Sequence, residues 1–246
     1  MAPSNSTRVF VALGMMSVYF LARFTDVVPI ELVHRTIVKA APIVWLAITA
    51  WQKGGEAGAS KQLSSYSTYI AVGLLFCSGG DVALELGGDG PDAAQHFFIG
   101  GLVSFLIGHI FYIVAFYSGP NFASMLPFYG FGMLVYLLLW DDIPNDLDRP
   151  VLLYVMVIAT MAHQAWARTD SKNGSDSSKS RAFIGALLFM LSDSILAWNK
   201  FRDPTGLKRP NIPNAKLWVM LTYYSAQLYI ATSVTEDSKR DSKKDS

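Results

Sequence analysis

Cys77 is the chain's one cysteine, so the sequence holds no internal disulfide, no CxxC redox motif and no cysteine-rich metal centre. Charge is sparse too. Asp, Glu, Lys and Arg make up 16% of 246 residues, with a net charge of +1, which leaves no bulk basicity for nucleic acid. The four histidines, His34, His96, His109 and His163, are scattered without an HExxH or other paired-ligand spacing, so neither a metal nor any other cofactor is expected. There is no GxSxG nucleophile elbow and no glycine-rich phosphate loop. No polar stretch is long enough to make a soluble domain.

What the chain has is apolar sequence: 52% of its residues are hydrophobic, which places it among membrane proteins. A span needs about 20 mostly apolar residues, and that ruler finds eight candidates. They run Val9–Phe24, Arg35–Trp51, Ser67–Leu86, Ala94–Tyr117, Phe122–Trp140, Pro150–Ala167, Ala182–Asn199 and Ala215–Val234. The first follows Arg8 like a signal peptide, but it lacks a clear cleavage site and is read as a span. The second contains Lys39 and Pro42, and proline in the first turns is tolerated. The connections, such as TDSKNGSDSSKS and FRDPTGLKRPNIPN, are short and turn-rich. The expectation is an all-α polytopic membrane bundle of about eight helices, a single domain over residues 1–234 with a charged tail at 235–246.

Orientation follows from lysine and arginine outside the core. With a cytosolic N-terminus, Arg8, Lys53, Lys61, Arg168, Lys172, Lys179, Arg181 and the lysine-rich tail face the cytosol, slightly outnumbering the basic residues opposite. The final KKDS is similar to the dilysine retrieval signal of endoplasmic reticulum membrane proteins, which is read from the cytosol. A multi-pass endoplasmic reticulum protein with a cytosolic C-terminus is therefore expected. The sequons at Asn5 and Asn173 would then lie on the cytosolic side and stay unmodified.

Two acids interrupt this apolar pattern: Asp81 in LLFCSGGDVALEL and Asp193 in ALLFMLSDSILAW. A charged carboxylate at bilayer depth costs roughly 2.5–3.5 kcal/mol, so each needs a partner, a proton or a wet cavity. The two segments look alike and fall in the third and seventh spans, which suggests two four-helix halves with both acids at similar depth. Helical spacing then collects polar groups on inward faces: His109 and Tyr112 in the fourth span, Ser192 and Asp193 in the seventh, Tyr223, Tyr224 and Gln227 in the eighth, and Lys39 in the second. Tyrosine, serine and glutamine in such places are more often interhelical hydrogen-bond partners than catalysts. Lys39 either faces inward or snorkels to the headgroups. Glu85, one turn beyond Asp81, is expected to reach the interface.

KAAPI at residues 39–43, LLFCSGGDVALEL, FFIGGLVSFLIGHIFYIVAF at 97–116, GALLFMLSDSILAW and YYSAQLYIA at 223–231 occur in that order over nearly the whole chain. Together they resemble the YhhN-like lysoplasmalogenases, the transmembrane protein 86 group. The resemblance implies an eight-helix enzyme that cleaves the vinyl ether bond of lysoplasmalogens, releasing a fatty aldehyde and glycerophosphoethanolamine or glycerophosphocholine. Its two membrane aspartates fall on Asp81 and Asp193, its Lys-x-x-Pro on Lys39 and Pro42, and its His-x-x-Tyr on His109 and Tyr112. The implied partners are a lysophospholipid substrate and membrane lipids.

Such a reaction needs a proton donor to the alkenyl carbon and an anion to stabilise the resulting oxocarbenium ion, a demand that two unlike carboxyl groups meet in glycoside hydrolysis. Asp81 and Asp193 are the expected catalytic pair, with either one as the acid. Lys39, His109, Tyr112, Ser192, Tyr224 and Gln227 are the supporting set, and Lys39 either pairs with an aspartate or holds the lipid phosphate. A proton-coupled transporter or lipid carrier is the rival reading, because intramembrane acids also mark transport paths. It calls for helices interrupted at matching places in both halves, and the sequence offers only Pro42 and, at a helix start, Pro127. In a third reading the acids merely pair with Lys39.

Overall fold

A computed structural model describes residues 4–25, 31–56, 59–87, 91–119, 125–171, 174–201, 210 and 212–235. Eight α-helices follow one another among these residues: α1 (Asn5–Phe24), α2 (Leu32–Gly54), α3 (Lys61–Leu86), α4 (Pro91–Phe116), α5 (Met125–Leu139), α6 (Asp148–Ala167), α7 (Asp176–Lys200) and α8 (Ala215–Thr232). Short 3-10 turns at Trp140–Asp142 and Arg168–Asp170 follow α5 and α6. Each of the eight expected spans corresponds to one helix. The Asn173 sequon, Lys172 and the tail with its KKDS end lie outside the described residues.

Six of the helices are long and apolar enough to cross a membrane; α5 and α8 are not among them. The physical reasons differ. α5 runs for only 15 residues. α8 carries buried Tyr223, Tyr224 and Gln227, polar side chains that lower its hydropathy because they face other helices rather than lipid. Pro42 also sits differently from the expectation. α2 begins at Leu32, so the proline lies in mid-helix rather than in the first turns, and the helix continues through it to Gly54. Large apolar side chains such as Phe10, Leu126 and Leu137 point outward, as they must where lipid is the solvent.

Small residues set how closely the helices approach. On α3, Gly73, Cys77 and Gly80 meet Gly101, Ser104 and Gly108 of α4. A β-carbon built on Gly108 would lie 2.9 Å from the Cys77 sulfur and 3.0 Å from the Gly73 carbonyl oxygen. The lone cysteine is therefore a packing residue, buried in this seam. Ser104 Oγ closes it by donating to the Phe76 carbonyl at 2.6 Å. A second close pair forms where a β-carbon on Gly185 of α7 would meet the Ala226 carbonyl of α8 at 3.0 Å. The two halves are not packed alike. α2, α3 and α4 form a tight trio, whereas α7 pairs closely with α8, and α6 rests on α4, α5 and α7.

Candidate active site

The third and seventh helices bring Asp81 and Asp193 to one chamber of about 270 Å³ at the end of the bundle where α1, α3 and α7 finish and α2 and α8 begin. Asp81 is 2% exposed. Its Oδ2 accepts a hydrogen bond from the Tyr223 hydroxyl at 2.5 Å, and its Oδ1 lies 3.7 Å from Lys39 Nζ. The same ammonium stands 3.5 Å from Glu85, and Arg35 Nε stands 3.5 Å from the other Glu85 oxygen. Arg35 and Lys39 are one helical turn apart on α2, as are Asp81 and Glu85 on α3. The two antiparallel helices thus present two cations to two acids, with charge balanced on the spot.

Asp193 has different neighbours. It is only partly buried, its Oδ2 accepts from the Tyr154 hydroxyl of α6, and no cation pairs with it among the described residues. It also borders a second, smaller cavity of about 80 Å³ between α4, α5, α6 and α7, lined by Leu102, Val135, Val155 and Ile158. Asp193 therefore stands where a polar chamber meets an apolar one. The polar chamber is edged by Arg23, Lys200 and Lys216 in addition to Arg35.

Several expected site residues lie behind the chamber wall. Phe105, Phe189 and Tyr223 stack edge to face at 5.5–6.2 Å between ring centres, and Phe105 and Tyr223 line the chamber. Beneath them His109 is wholly buried, its ring 4.5 Å from Phe189 and 5.3 Å from Tyr154, and neither of its nitrogens has a hydrogen-bond partner among the described residues. Tyr112 donates to Gln227 Oε1 at 2.8 Å, and Tyr224 donates to the Lys39 carbonyl at 2.9 Å. None of these four lines the chamber. Ser192 borders it, but its hydroxyl donates to the Val219 carbonyl at 3.0 Å rather than to an aspartate. Tyr112, Ser192 and Tyr224 thus tie α4 to α8, α7 to α8 and α8 to α2. Lys39 points inward, 7% exposed, and does not snorkel; Glu85 joins the Lys39 cluster.

Two residues are not singled out by the sequence: Tyr154, which reaches Asp193 from the apolar cavity, and Arg35, which lines the chamber. Tyr154 carries a signal, because Val151, Tyr154, Ile158, Ala162 and Ala165 repeat at helical spacing and all are buried. Arg35 reads as a charge at the very start of the second span, and α2 in fact begins three residues earlier. Among the described residues no group of three or more His, Cys, Asp or Glu side chains is placed to hold a metal ion.

A model of the YhhN family matches residues 34–234. Lysoplasmalogenase TMEM86B of Sus scrofa is 33% identical over 231 residues, covering 91% of this chain and 84% of its own length. Lysoplasmalogenase TMEM86B of Homo sapiens is 31% identical over 199 residues, 80% of this chain and 74% of its own. Lysoplasmalogenase TMEM86A of Homo sapiens is 30% identical over 214 residues, with 82% and 78% covered. No solved structure matches.

Proposed function

The chain belongs to the YhhN family, and from that premise we propose that it is a lysoplasmalogenase, the activity its relatives carry in their names. It is a multi-pass membrane hydrolase whose substrate is a lysophospholipid bearing a vinyl ether chain. The observation that best supports this reading is the position of Asp193 at the junction of the two cavities. A lysoplasmalogen has one polar headgroup and one hydrocarbon chain, joined at the bond to be broken. Its glycerophosphate suits the chamber edged by arginine and lysine, and the first carbons of its chain suit the apolar cavity, which sets the vinyl ether beside Asp193.

The roles divide according to the neighbours. Asp81, facing Lys39, acts as the carboxylate; Asp193, without a cation, carries the proton. Asp193 protonates the alkenyl carbon distal to the ether oxygen, and the Tyr154 hydroxyl stabilises the carboxylate left behind. Asp81 stabilises the oxocarbenium ion and takes a proton from the water that adds to it. In collapse of the hemiacetal, Asp193 recovers a proton from the hemiacetal hydroxyl while Asp81 gives one to the departing glycerol oxygen. One water is consumed, aldehyde and alcohol leave, and both carboxyls return to their starting states.

We further propose that residues 1–234 form one membrane domain of the endoplasmic reticulum and 235–246 a cytosolic tail, an orientation that the lysine and arginine bias supports. The chamber then opens toward the lumen. A transport reading gains little, since α2 is continuous through Pro42 and Pro127 sits in the first turn of α5.

Purified full-length protein in detergent should release fatty aldehyde from lysoplasmalogen without any membrane gradient. Absence of aldehyde from every member of a lysophospholipid panel would remove the proposal. Val155→Phe, which fills the apolar cavity, should raise KM for long alkenyl chains by about 10- to 50-fold, the size expected for displacing two or three methylenes. It should spare short chains. An equal effect on all chain lengths would mean that the chain lies elsewhere.

A further inference from the structure

The opposite end of the bundle holds a second polar cavity, of about 430 Å³, that hydrolysis does not use. It is bounded by the first turns of α3 and α7, the last turns of α4 and α8, and the 3-10 turn after α6. Arg168 reaches into it and is 7% exposed. Its Nη2 donates to Ser178 Oγ at 3.0 Å, and the guanidinium lies 4.5 Å above the Tyr66 ring. Its Nη1 is buried with no partner, and no carboxylate pairs with Arg168 among the described residues. A buried guanidinium without an anion is a costly arrangement. The contact with Tyr66 offsets only part of it.

The surroundings are arranged to keep that charge in place. The Ser178 hydroxyl donates its own hydrogen bond to the Ser233 carbonyl at 2.6 Å, leaving a lone pair to accept from Arg168. Tyr66 and Ser233 share a hydrogen bond of 2.6 Å. Two long helices also begin at the cavity, capped by Ser60 and Ser175, and aim the positive ends of their dipoles at it. No carboxylate lines the cavity among the described residues. Gly174 keeps the approach open, since a β-carbon there would lie 2.8 Å from Arg168 Nη2. On the outer side, Tyr69, Val114 and Tyr117 are exposed where the bundle meets lipid.

We propose that this cavity binds a phosphate group, with the unpaired Arg168 guanidinium in its wall as the cation that attracts it and the two helix starts adding amide dipoles. The source is a phospholipid of the adjoining leaflet, whose tails lie against the exposed faces of α3 and α4. The site is separate from the catalytic chamber and does not depend on the hydrolase reading.

The test is lipid retention by full-length protein in detergent, read by native mass spectrometry. Dioleoylphosphatidylglycerol is compared with dioleoylglycerol, which has the same tails and no phosphate. Wild type should hold one equivalent of phosphatidylglycerol more than Arg168→Gln, whose affinity falls about tenfold or more for loss of a charge-assisted hydrogen bond. Ser65→Asp, at an exposed cavity position, should weaken retention as well through repulsion. It keeps the proposal testable if Arg168→Gln does not fold. Displacement of the lipid by inorganic phosphate at constant ionic strength would support the site with phosphate alone as ligand; resistance to displacement would support it with the lipid headgroup as ligand. Equal retention by wild type, Arg168→Gln and Ser65→Asp, or equal retention of dioleoylglycerol, overturns the proposal.

Discussion

Asp193→Asn is expected to lower aldehyde release by about 100- to 10,000-fold, the usual contribution of a positioned general acid. The change keeps the volume and still accepts the Tyr154 hydroxyl, so the folded protein should survive, as judged by size-exclusion elution and helical circular dichroism. Asp81→Asn should cause a loss of similar size by a different route, removing the charge that faces the oxocarbenium ion. Together they should cost little more than the worse single change, because the two groups serve one transition state. The pH profile separates their roles. A base must be ionised, so rate falls on the acid side as it takes up a proton; an acid must be protonated, so rate falls on the alkaline side as it loses one. Residual activity of Asp81→Asn should therefore lose the acid limb, and that of Asp193→Asn the alkaline limb. The opposite pattern would reverse the assignment, and near-normal turnover by either folded variant would end the two-carboxyl mechanism.

Much of the fold was readable because a membrane imposes length and hydropathy on each crossing. All eight helices begin and end within a few turns of the runs read from the sequence. The reading faltered where burial is supplied by protein and not by lipid. α8 looks polar because its tyrosines and glutamine face other helices, and α2 starts earlier than its apolar run because Arg35 is matched by Glu85. The two aspartates stand out in a single sequence, since a carboxyl inside an apolar span is costly to keep for packing alone. Their supporting cast does not. A tyrosine on an inward face has many neighbours to choose from, and the sequence does not say that Tyr154 and Tyr223 reach carboxylates while Tyr112 and Tyr224 reach Gln227 and a backbone carbonyl. The idea of two halves gains one structural echo. In each half the helix before the aspartate supplies a partner for it, Lys39 from α2 and Tyr154 from α6. On the proposed mechanism, a cation in one half and a phenol in the other give the two similar helices their unlike roles.

Lys39→Met is expected to give the largest loss of stability. The ammonium stands 3.5 Å from Glu85 and 3.7 Å from Asp81 in a site where Asp81 is 2% exposed. Removing one partner of a buried pair leaves the other charge stranded, which costs about 3 kcal/mol or more. The thermal midpoint in detergent should fall by several degrees, and activity should fall with it. The double variant Lys39→Met, Asp81→Asn separates the causes. It removes the stranded charge along with the cation and leaves Arg35 to balance Glu85, so most of the stability should return. Activity should not, because the anion that faces the reacting carbon is gone. If Lys39 instead held the substrate phosphate, Lys39→Met would raise KM with little effect on the midpoint, and the second substitution would rescue nothing. If Asp81 served only to pair with Lys39, the stable double variant would turn over substrate at the wild-type rate. The stability of the double variant and its turnover are thus two separate readings of the same ion pair, and a catalytic Asp81 requires that the first recover while the second does not.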